Sequence, residues 1–142
     1  MGCAGICRAS GGNLTAALGA GVRYWLIVFT VAFGFGVVRT LVVAPRVGPL
    51  WAVLIEAPLI LAVSVAVARW LLRRRPLSMP QRAVMGATAF ALLMASEVAL
   101  AAELGGQSPA DWTASLVVLP GSIGLVAQLG FAAIPWALRF RR

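Results

Sequence analysis

YWLIVFTVAFGFGVVRTLVVA, residues 24–44, carries a single charge, Arg39, and as a helix it is long enough to cross a hydrocarbon layer, which takes about 20 residues. Working outward, three further apolar runs of similar length follow, at 48–72, 83–104 and 113–138. The whole chain has 142 residues, 61% hydrophobic and only 11% charged, where a soluble domain carries about 25% charged side chains. So little charge cannot cover a soluble surface. The mean hydropathy of +0.95 therefore excludes a soluble globular domain and a disordered chain. It also argues against a nucleic-acid binder despite the net charge of +8. The pattern predicts an all-α fold: an integral membrane four-helix bundle.

Helix-breaking residues separate the runs: Pro45, Gly48 and Pro49, then Pro76, Ser78 and Pro80, then Gly105, Gly106, Ser108 and Pro109. Ser108, Pro109 and Asp111 have the spacing of an N-cap, a first-turn proline and an acidic third position. The links are short, so neighbouring helices should be antiparallel. Residues 23–142 form the expected transmembrane domain, with 1–22 as a Gly-rich cytoplasmic tail. The weak apolar run at 14–22, interrupted by Gly19 and Gly21, makes a poor signal peptide, and no cleavage is expected.

Positive charge sets orientation. Arg8, Arg23, Arg69, Arg73, Arg74, Arg75, Arg82, Arg139, Arg141 and Arg142 fall on one side, and Arg39 and Arg46 on the other. Both termini should be cytoplasmic. Trp25, Trp70 and Trp136 at the inner boundary and Trp51 and Trp112 at the outer one give the same answer as an aromatic belt. Arginine to the exclusion of lysine suggests a GC-rich bacterial genome, hence a multi-pass protein of the bacterial inner membrane.

The chain has no histidine, so no metal site, haem or other cofactor is expected, and no nucleophile stands beside a base as an enzyme would require. Cys3 and Cys7 alone cannot complete a zinc site, and on the cytoplasmic side they should remain thiols.

Ionisable residues inside a span are functional candidates by default, because each costs roughly 2.5 to 3.5 kcal/mol at the helix centre. Arg39, Glu56 and Glu97 lie about 7 to 12 Å from the outer helix ends, in one layer. Gly34, Gly36, Pro58, Pro120 and Gly121 disturb the helices near it. This combination suggests a small polar cavity open to the outside, with Arg39 paired to Glu56 or Glu97 and the other acid free to take a proton; snorkelling of Arg39 to the headgroups is the alternative. Thr30, Ser64, Thr88 and Gln128 form a deeper layer, about 21 to 24 Å from the outer ends, whose hydroxyls can bond the carbonyl one turn back. Ala87, Ala91, Ala95 and Ala99 form a helix-packing stripe, expected to serve a helix of the same bundle rather than a second protomer. Arg69, Arg73, Arg74, Arg75 and Arg82 make a cytoplasmic basic cluster suited to anionic lipid, or serving only as the topology signal.

The run from Gly36 through Arg39, Pro45, Gly48, Glu56 and Pro58 to Arg69-Trp70 resembles small uncharacterised bacterial four-helix inner-membrane proteins. It covers half of the chain, and the resemblance implies no activity. Two readings follow from the residues: a non-enzymatic membrane protein whose polar layer fixes helix packing or a partner subunit, or a small proton-coupled transporter using Glu56 or Glu97. The partners expected are the lipid bilayer and, for the first reading, a homo-oligomer or larger membrane complex, with no nucleic acid.

Overall fold

A computed structural model describes the backbone of residues 4–138 and the side chains of 14–138. Helix α1 spans Ala4–Val38 and runs through a π-helical turn, Arg39–Val43, into α2, Ala44–Val47. The helices α3 (Pro49–Arg74), α4 (Met79–Gly105), α5 (Pro109–Ser115) and α6 (Gly121–Ala137) follow. Among the described residues there is no strand.

The punctuation has local causes. Pro45 has no N–H to give the Leu41 carbonyl, and the wider π register, in which the Ala44 N–H bonds Arg39 O, precedes it. Arg46 Nη1 then donates to Val42 O at 2.5 Å, satisfying a carbonyl near the helix end. Gly48 turns the chain with φ +87°, a conformation that favours glycine. Ser78 and Gln81 form a capping box on α4, and Gly106 ends it with φ +60°. The Ser108 hydroxyl accepts from Asp111 N at 3.2 Å, so α5 begins at Pro109.

Three stretches are long and apolar enough to cross a membrane, Leu14–Val47, Pro49–Arg74 and Met79–Gly105, each holding an 18-residue window whose mean hydropathy is 2.3, 2.3 and 1.8 respectively. The fourth, α6, is apolar but has 17 residues. They pack in a ring in the order α1, α4, α6, α3. Large apolar side chains point outward at mid-helix, among them Leu26 (52% exposed), Ile55 (52%) and Val126 (69%). Against hydrocarbon such surfaces gain nothing by burial, so association rests on close packing. Glycines supply it. A Cβ at Gly21 would stand 2.8 Å from Met85 O of α4, and one at Gly86 would overlap the Ala132 carbonyl oxygen of α6. At one half of the bundle the ring is filled by Tyr24, Met85, Ala89 and Phe131. There α1 and α6 meet across the diagonal: the Tyr24 and Phe131 rings stack at 4.5 Å, and the Tyr24 hydroxyl donates to Phe131 O at 3.0 Å.

Three expectations are corrected. The tail expected at 1–22 is, over its described part, continuous helix, with Ala17, Ala20 and Gly21 buried. Gly19 and Gly21 do not break it, because Gly21 is where α4 comes closest. The span expected at 113–138 is broken between Ser115 and Gly121. Pro120 lacks a donor and disfavours helix in the residue before it, and a Cβ at Gly121 would overlap the Ser115 carbonyl. Finally, Ala87, Ala91, Ala95 and Ala99 are all exposed. The buried Met85 and Ala89 and the cavity-lining Glu97 occupy the opposite face, since two residues turn a helix by about 200°. Among the described residues no helix packs on the stripe. The expectations for Cys3 and for Arg139, Arg141 and Arg142 lie outside the described residues, as do those for the side chains of Cys7 and Arg8.

Candidate functional site

Beyond the Tyr24–Phe131 stack the ring opens into a cavity of about 690 Å³. It reaches from Trp25 and Phe131 to Leu104 and Trp112, at the end of the bundle where arginine is scarce. Arg39, Glu56 and Glu97 all line it. Arg39 Nε lies 2.5 Å from Glu56 Oε2, with side chains 34% and 17% exposed. This N–H is not aligned as a hydrogen bond, so the contact is one of opposite charges. Glu97 has a different partner: Gln128 Nε2 donates to both of its oxygens at 2.6 Å. One cavity thus holds a carboxylate opposed by a cation and another held by an amide.

Gln128 belongs to this layer, not to the deeper one. Depth counted along an unbroken 113–138 helix placed it too far in. Because α6 starts at Gly121, Gln128 lies seven residues from its end, about 10 Å, and Glu97 lies eight residues from the end of α4, about 12 Å. The signal available in the sequence was Pro120-Gly121, read as a bend rather than a helix start. Of the other deep residues, Thr30 and Ser64 bond the carbonyls of Leu26 and Ile60 one turn back, each at 2.7 Å, and Thr88 packs against Gly21.

Gly36, Pro120 and Gly121 also line the cavity, whereas Gly34 and Pro58 are exposed outside it. Trp25, expected in a boundary belt, lines the cavity instead, and its Nε1 is buried without a hydrogen-bond partner. It heads a ladder along α1, stacking on Phe29 at 5.6 Å, with Phe33 6.4 Å further on. This aromatic wall follows from four-residue spacing, Trp25-Phe29-Phe33, which sequence reading passed over.

The basic cluster sits at the opposite end. Arg69, Arg73, Arg74 and Arg75 are exposed, with Arg74 over the Trp70 ring at 4.5 Å. Arg82 is structural: it donates to Leu77 O at 3.0 Å and to Leu138 O at 2.7 Å, tying the start of α4 to the end of α6. A smaller cleft of about 480 Å³ brings Arg23 of α1 beside Arg74 and Arg75.

Compared with protein-family models, curated proteins and solved structures, the chain has no match.

Proposed function

We propose that the chain is an integral membrane protein of four spans in the bacterial inner membrane, both termini inside. Its arginine-poor half is a chamber for a small solute, and it acts as a proton-coupled transporter rather than an enzyme. The observation that carries this reading is that Arg39, Glu56, Glu97 and Gln128 converge on open space. A polar layer serving only to fix helix packing is expected to be packed, because unfilled space forfeits the contacts that hold helices together in lipid. Glu97 is the exchangeable acid, since Arg39 is in direct contact with Glu56 and Glu97 is in direct contact with an amide.

Two further contacts belong to the same reading. The outward alanine stripe favours association with a second copy or another membrane protein, and the cleft of Arg23, Arg74 and Arg75 favours anionic headgroups.

Dicyclohexylcarbodiimide, an apolar reagent that modifies protonated carboxyls, tests the assignment. Peptide mass mapping of protein treated in membranes should find the adduct on Glu97 in preference to Glu56. Modification of Glu56 with Glu97 untouched would reverse the roles and refute the assignment.

A further inference from the structure

The chamber is unbalanced in charge and in hydrogen bonding. Its one guanidinium lies against Glu56, so the Glu97 carboxylate has no cation in contact. A carboxylate offers about four lone-pair sites, and a single amide nitrogen does not fill them. Beside it, Gln128 Oε1 has no hydrogen-bond partner but is enclosed by its neighbours, so Glu97 is the acceptor that a solute in the cavity can use. The same cavity is walled by Trp25, Phe29 and Phe33, whose rings can cover an apolar body.

We propose that the chamber binds a protonated primary or secondary amine with an apolar body, its N–H groups on Glu97 and its body along the Trp25–Phe29–Phe33 wall. This rests on reading the cavity as a solute chamber, and it names the class of solute. The alternatives each leave something unmet. An anion would face an uncompensated carboxylate. A quaternary ammonium brings charge but no N–H for the carboxylate's open lone pairs, a neutral alcohol brings a donor but no charge, and a bare inorganic cation leaves the aromatic wall uncovered.

The test uses the purified full chain in mild detergent and three probes of similar shape: 2-phenylethylamine, which is protonated at neutral pH, 3-phenylpropionate and 2-phenylethanol. The amine should raise the melting temperature saturably, and the other two should leave it unchanged. Glu97→Gln should weaken the amine's apparent affinity about tenfold or more, as loss of an ionic contact in low dielectric requires. Should that variant not fold, Phe29→Leu keeps the acid and thins the wall, and should weaken binding about threefold. Equal stabilisation by 3-phenylpropionate overturns the inference. So does an amine without effect on protein whose Glu97 is labelled by the carbodiimide. Failure of Glu97 to label in the absence of amine removes the exchangeable-acid reading instead.

Discussion

Removing Arg39 alone strands Glu56 in the cavity without its cation, a larger penalty than removing both partners together. Arg39→Leu should therefore lower thermal stability in detergent more than Arg39→Leu with Glu56→Leu. The coupling expected from the mutant cycle is about 1 to 3 kcal/mol. The cycle of Arg39 with Glu97 should lie closer to additive, because Gln128 holds that acid. Near-additivity in the Glu56 cycle would mean that Arg39 snorkels to the headgroups. Deeper in, Tyr24 closes the cavity floor with a stack and one hydrogen bond to Phe131 O. Tyr24→Phe keeps the stack and loses the bond, so a cost of about 1 kcal/mol is expected in the melting curve. An unchanged Tm would show that the bond contributes nothing.

At the scale of elements, glycines decide where helices touch. Gly86→Ala pushes a methyl into the Ala132 carbonyl and should destabilise by about 1 to 3 kcal/mol as the α4–α6 crossing separates. Gly36→Ala, where a Cβ meets nothing within 4 Å, is the matched control and should be tolerated. Equal effects of the two would remove the packing account. Ala95→Leu lies on the outer face and should leave the monomer folded, so any effect it has on assembly reports a partner. The start of α5 was legible in the sequence because it depends on local chemistry: Ser108 and Asp111 cap it as their spacing predicts. The close contacts were not legible. An alanine repeat and a glycine pair look equally suited to packing, and only the rotation of α4, set by Met85 and Ala89 turning inward, tells which face meets a neighbour.

For the whole molecule, composition alone announced helices fit for a membrane, because so little charge leaves no other surface. The grouping of Arg39, Glu56 and Glu97 at one depth was also legible, since equal counts from helix ends put side chains in one layer. Gln128 escaped because a proline break moved the start of its helix, and Trp25 because a tryptophan near a helix end suits a headgroup belt as well as a cavity wall. The central claim is that this layer opens as a chamber at the arginine-poor end and is shut at the other by Tyr24 and Phe131. Gly124 lines the chamber and has room for a side chain. The most direct measurement is labelling of Gly124→Cys, in a chain with Cys3→Ser and Cys7→Ser, by a membrane-impermeant thiol reagent in vesicles of opposite orientation. Reaction is expected from the arginine-poor face only, within about tenfold of the rate at an exposed Ser108→Cys control. Reaction from the opposite face, or from neither, would contradict it.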